Sequence, residues 1–126
     1  MKVVVVTLMI LAIFFTSAIY TNIYINSSAD KLTDKVIKLD EAIGKSNWDE
    51  AKHYMQEVSK DWHKTKEVWQ TFLEHYEIDA IDIVLARVQK YVEIEGDMEA
   101  LGEIAELKLL IQHIVGREAF KLVNIL

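Results

Sequence analysis

From Val3 to Ile25 the chain reads VVVVTLMILAIFFTSAIYTNIYI, twenty-three residues without a charge. At about 1.5 Å per helical residue such a segment reaches roughly 35 Å, enough to cross a hydrocarbon core of about 30 Å. Tyr20 and Tyr24 fall near its end, where amphipathic rings favour a membrane interface. A cleavable leader is the competing reading, since Thr16 and Ala18 in "FTSA" give a tolerable cleavage pattern. Against cleavage, the apolar stretch continues for seven residues past that point and only Met1 and Lys2 precede the core. The length therefore predicts an uncleaved transmembrane anchor over residues 1–26 and a separate domain over residues 27–126, with a secreted soluble bundle as the alternative. Charge does not settle orientation, because Lys2 lies before the span and Lys31, Lys35 and Lys38 follow it. A two-residue tail and an acidic domain favour a signal-anchor, single-pass in the cell membrane with the C-terminal domain outside the cytoplasm.

Beyond the span the balance is acidic: setting Lys2 aside leaves 13 basic and 20 acidic side chains, net −7. Without clustered Lys and Arg there is no means of neutralising phosphates, so nucleic acid is not an expected partner. The chain has no cysteine, which removes disulfides, thiolate catalysis, Cys-ligated zinc and a lipoprotein anchor. About 100 residues suffice for one domain with its own core.

Strand-like alternation is absent and no proline interrupts, so the fold class expected is all-α. Ser27 or Ser28 is the expected N-cap of a first bundle helix whose apolar face is Leu32, Val36, Leu39 and Ile43. Gly44 is the expected residue just past its end. Asn47 and Glu50 are spaced as an Asn-led capping box for the second helix. There Trp48, Ala51, Met55, Val58, Trp62, Thr65, Trp69, Phe72 and Tyr76 recur at three-four spacing, a coiled-coil-like seam. A third helix carries Ile78, Ile81, Leu85, Val88 and Val92, with Asp79 as a candidate cap. A fourth runs from about Met98 with Ile104, Leu107 and Ile111, then slips by a stutter to Val115, Ala119, Leu122 and Leu126. The predicted core includes Trp48, Met55, Val58, Trp62, Trp69, Phe72, Leu85, Ile104 and Ile111.

A shift of 49 residues superimposes Leu32 on Ile81, Val36 on Leu85, Leu39 on Val88, Ile43 on Val92, Glu50 on Glu99 and Ala51 on Ala100. Because 49 is seven heptads, any continuing seam would match in phase; the recurrence of a Gly-containing turn at that offset is the independent part. The pattern reads as a duplicated helical hairpin forming an antiparallel bundle of about four helices.

The segment DWHKTKEVWQTFLEHYEID, residues 61–79, holds two tryptophans and two histidines. In register, Trp62 and Trp69 point inward while His63 faces solvent, His53 and Glu67 lie outside, His75 flanks the seam and His113 falls on the far side of its helix. His63 with Glu67 and His75 with Asp79 have the i,i+4 spacing of a metal pair, yet the four histidines do not converge. Glu50 and His53 form one copy of a di-iron element that needs two. Haem ligation would pair Met55 with a histidine inside the bundle, and none qualifies. The acidic run Glu93, Glu95, Asp97, Glu99, Glu103 and Glu106 reads as a solvated helix start rather than calcium ligands, since it lacks EF-hand spacing. No catalytic, cofactor-binding or metal residue is assigned, and no cofactor is expected; His75 and His113 remain the weak site candidates.

The uncharged N-terminal segment, "NWDEA", "W...W..FLEHYEID", "IEGDMEAL", "LKLLIQHI" and the closing "NIL" resemble the bacterial family catalogued as domain of unknown function 4363, over essentially the whole chain. Trp48, Trp62, Trp69, His75 and His113 match its motif positions. The resemblance implies a small membrane-anchored helical protein from a Gram-positive bacterium, with no activity, cofactor or catalytic residue attached. The expected function is a non-catalytic interaction or accessory module docking a protein partner in the membrane or envelope. A ligand-binding, sensor-like bundle is the alternative.

Overall fold

The computed structural model describes residues 1–125 as four α-helices: α1 (Lys2–Gly44), α2 (Trp48–Trp69), α3 (His75–Glu93) and α4 (Asp97–Ile125). They alternate in direction, and α1 packs on α2 and α4 while α3 packs on α4 and, less extensively, on α2. This is an antiparallel four-helix bundle. Its core is lined by regular apolar stripes: Ile25, Ala29, Leu32, Val36, Leu39 and Ile43 on α1 step by four and three, as does Ala100, Ile104, Leu107, Ile111 and Ile114 on α4. Met55, Val58, Trp62, Trp69, Leu85, Ile104 and Ile111 are buried as their spacing predicts, and Trp48 packs partly buried at the edge.

No break in the helix marks the expected division between residues 26 and 27. α1 runs through it without interruption, and Ile25, assigned to the anchor, is fully buried in the bundle. Ser28 is not an N-cap; its hydroxyl donates back to the carbonyls of Tyr24 at 2.8 Å and Ile25 at 3.1 Å, within the helix. No glycine or proline lies nearby to stop propagation, and the stripe Ile25–Ala29–Leu32 keeps the helix in phase with its neighbours. α1 has a window near the N-terminus long and apolar enough to cross a membrane, none of it buried.

Three further expectations are corrected. Phe72 is 47% exposed rather than core. α2 stops at Trp69, the Thr71 hydroxyl closes its end on the Val68 carbonyl at 2.6 Å, and Leu73 takes the inward position. Tyr76, on the same expected seam, is exposed as well. α3 is capped by Glu74, not Asp79: the Glu77 carboxylate accepts from the Glu74 N–H at 3.3 Å. α4 does not stutter, since Ile114 rather than Val115 continues the core; Ala119 is exposed, Leu122 is half-buried, and Leu126 lies outside the described residues.

The two distal turns answer the repeat question. Ser46 and Glu95, 49 positions apart, both adopt the left-handed region with φ of 54° and 58°. Around them the backbone bonds correspond one to one: Asn47 N–H to Ala42 at 2.9 Å matches Gly96 N–H to Tyr91 at 2.9 Å, and Ser46 to Ile43 matches Glu95 to Val92. Each is a Schellman termination. Gly44, expected at the left-handed position, is instead the last residue of α1. The cap at Asn47 forms as predicted, its side chain accepting from the Glu50 N–H at 3.3 Å.

Candidate functional site

The segment 61–79 is resolved by its tryptophans. The rings of Trp62 and Trp69, two turns apart on α2, meet edge to face at 5.8 Å and 85°. Both indole N–H groups are buried and need acceptors. Trp62 Nε1 donates to Asp82 Oδ1 on α3 at 2.7 Å, and the same carboxylate binds the Lys66 ammonium. Trp69 Nε1 donates to Ser28 Oγ on α1 at 2.8 Å. The pair thus ties α2 to both neighbours at one level of the bundle. These are packing roles, completed by polar partners.

The histidines do not share a site. His53, His63, His75 and His113 are all exposed, and His75 is the first residue of α3 rather than part of α2. His63 Nε2 lies 4.0 Å from Glu67, both side chains in solvent. Among the described residues no three His, Asp or Glu side chains form a group able to hold a metal ion. The acidic run is largely paired: Arg87 binds Glu103 at 2.7 Å and Glu106 at 3.2 Å, Lys52 binds Glu95 at 3.3 Å, and Lys90 binds Glu93 at 3.4 Å.

Sequence reasoning missed the cross-helix polar frame. Lys35 on α1 contacts Asp61 at 2.7 Å and Glu57 at 3.1 Å on α2, and Lys108 on α4 reaches back to Asp40 on α1 at 2.6 Å. The hydrogen bond that it donates to Asp61 holds the Lys35 ammonium above the usual lysine range, and Lys35 in turn holds the Glu57 carboxyl below the usual glutamate range. Glu77, buried at the start of α3, is neutralised by Arg117 at 2.6 Å, whose guanidinium also donates to the Tyr76 hydroxyl at 2.6 Å and lies over its ring. That hydrogen bond and the Glu77 charge raise the Arg117 pKa further. None of these partners is within one helix, so periodicity carries no trace of them.

Two of the concave regions bear on function. One is an open groove of about 480 Å³ between α2 and α3, floored by Met55 and Val92 and rimmed by Lys52, Gln56, Ser59, Gln89 and Glu93. The other, about 430 Å³, lies where α1 leaves the bundle beside the end of α4, among Phe14, Ala18, Asn22, Phe72, Leu122 and Ile125. In it the Asn22 side-chain amide nitrogen is buried without a hydrogen-bond acceptor among the described residues, while Asn26 donates to both Asn22 oxygens.

The profile of a family described as "Domain of unknown function (DUF4363)" matches residues 19–125. The match begins at Ile19, so most of the uncharged segment precedes it rather than being included. No curated protein and no solved structure matches the chain.

Proposed function

The chain belongs to the family described as a domain of unknown function (DUF4363), and from that premise we propose that it is a membrane-anchored, non-catalytic interaction module. In this reading α1 spans the cell membrane as a signal-anchor and holds the bundle outside the cytoplasm, where it docks a protein partner. The observation that carries it is the bare half of α1. Val3, Leu8, Ile10 and Ile13 are exposed all round the helix, with Ile13 70% exposed, and nothing in the bundle covers them. A helix apolar on every face belongs in a bilayer, not in water. Its continuity with the core supports a fixed posture of the bundle over the membrane, as an accessory module needs.

The test is fractionation with mass measurement. The protein is expected to stay with membranes through alkaline carbonate, with a mass that includes residues 1–18. A mature chain starting at Ile19 would overturn the anchor and leave a secreted bundle, its core intact because burial begins at Ile25. For orientation, a cysteine placed at Lys45 in the distal turn should react with an impermeant maleimide in intact cells.

The groove between α2 and α3 supports the second reading, a ligand-sensing bundle, because its apolar floor and polar rim suit a small amphipathic molecule. Native mass spectrometry of the gently extracted protein showing a bound small molecule, lost in a Met55→Trp variant, would favour it.

A further inference from the structure

The molecule has two stretches without an acidic residue at its ends, 1–29 and 119–126, and each holds a single charged side chain, Lys2 and Lys121 respectively. All 20 acidic residues lie between them, from Asp30 to Glu118. The fold brings the two acid-free stretches together at one end of the bundle. Ile25 is the first buried residue of α1 and Ile114 the last of α4. Beyond that level both helices continue side by side for the same eleven steps, to Phe14 and to Ile125, which line one recess. Eleven steps of helix are roughly 17 Å.

Along this extension α4 changes character. Phe120 is 67% and Val123 72% exposed, Ile125 is exposed on another side, and Phe72 from the α2–α3 turn joins them. Beyond Glu118 only Lys121 and Asn124 are polar, and Lys121 turns its ammonium back one turn to pair with Glu118 at 3.0 Å. We propose that the last two turns of α4, with Phe72, are embedded in the membrane interface and the outer edge of the hydrocarbon, beside the span. This rests on the reading of α1 as an anchor. The occupant is lipid rather than a second copy because the face is continuous with the bare surface of α1 and points in several directions around α4, whereas a dimer contact would be one-sided. The Arg117 clamp onto Tyr76 and Glu77 fixes α4 just before the apolar end begins.

The chain contains no cysteine, so single cysteines report cleanly. Phe120→Cys, Val123→Cys, Ile13→Cys in the bare helix and Met98→Cys at the distal end would carry an environment-sensitive fluorophore. The full chain would be reconstituted in phosphatidylcholine–phosphatidylglycerol vesicles with nitroxide lipids labelled near the headgroup. Labels at 120 and 123 are expected to be quenched several-fold more than the label at 98, with emission shifted to the blue. If they behave like the label at 98 while the label at 13 is quenched by lipids labelled deep in the chain, the interfacial seating is wrong and the anchor stands. If the label at 13 also escapes both quenchers, the anchor reading fails and takes this inference with it. Labels at 120 and 123 shielded from water yet unquenched, with those cysteines cross-linking between copies, would assign the face to a dimer and overturn the proposal.

Discussion

Trp62 shows what one side chain does here. Its ring is packed against Trp69 and its N–H is spent on Asp82, so truncation removes both a large apolar volume and a buried hydrogen bond. Trp62→Ala is expected to cost about 3–5 kcal/mol, against a total stability of about 5–15 kcal/mol for a domain of this kind. Urea unfolding of the full chain in mild detergent measures it. A loss below about 1 kcal/mol would mean that the ring lines a preformed slot, contrary to its burial. Ser46 predicts the opposite sign. Its φ of 54° places a side-chain-bearing residue in the left-handed region, at about 1–2 kcal/mol for most L-residues. Ser46→Gly, at an exposed position, should raise stability by roughly 0.5–1 kcal/mol once the greater freedom of glycine in the unfolded chain is deducted. The inward phase of Trp62 was legible because it is a local repeat. Asp82 as its partner was not, because a contact across a turn leaves no periodic signal, and Gly44 drew the left-handed assignment away from Ser46 on composition alone.

Between elements, the polar frame sets the pH response. The Glu57 carboxyl is held below its ordinary range by Lys35, so the folded chain binds that proton less readily than the unfolded one. Its contribution is present above the unfolded glutamate pKa and is lost as pH falls through the depressed folded value. Lys35, held above its ordinary range by Asp61, contributes fully below the unfolded lysine pKa and loses it as pH rises through the raised folded value. Melting curves of the wild type and Lys35→Met should therefore differ most near neutrality and converge toward both acid and alkali; a constant gap would show that Lys35 acts through its stem packing instead. Element ends were the least legible part. Ser27 and Ser28 have the right chemistry for a cap, but with apolar phase continuous on both sides the helix gains more by running through. At Phe72 the apolar phase also continued, yet there the chain turned, because Leu73 on the inner side of the turn closes the core and leaves Phe72 outside. Phase alone does not distinguish these two cases.

At the scale of the whole molecule, the proposed anchor and the first bundle helix are one continuous helix, and its burial in the core begins at Ile25, next to the expected division at residue 26. A chain beginning at residue 27 would lose Ile25, which is fully buried, together with the Tyr24 and Ile25 carbonyls that orient Ser28 for Trp69. Burying an isoleucine is worth about 1.5–3 kcal/mol, and an unanchored Ser28 would weaken the indole bond, itself worth about 1 kcal/mol. A chain beginning at Ile19, where the family match starts, keeps all of these. Compared in the same detergent, the shorter chain should be less stable by roughly 2–4 kcal/mol, close to unfolding at 37 °C if the total is at the low end, while the chain from Ile19 should match the full-length protein within about 0.5 kcal/mol. The second comparison isolates the proposed span, since residues 1–18 contribute no buried side chain to the core. Equal stability of all three would mean that the core ends below Ala29 and that the continuity of α1 is mechanically idle. A loss on removing only residues 1–18 would mean that Phe14 and its recess with Leu122 and Ile125 hold α4 in place even without lipid around them.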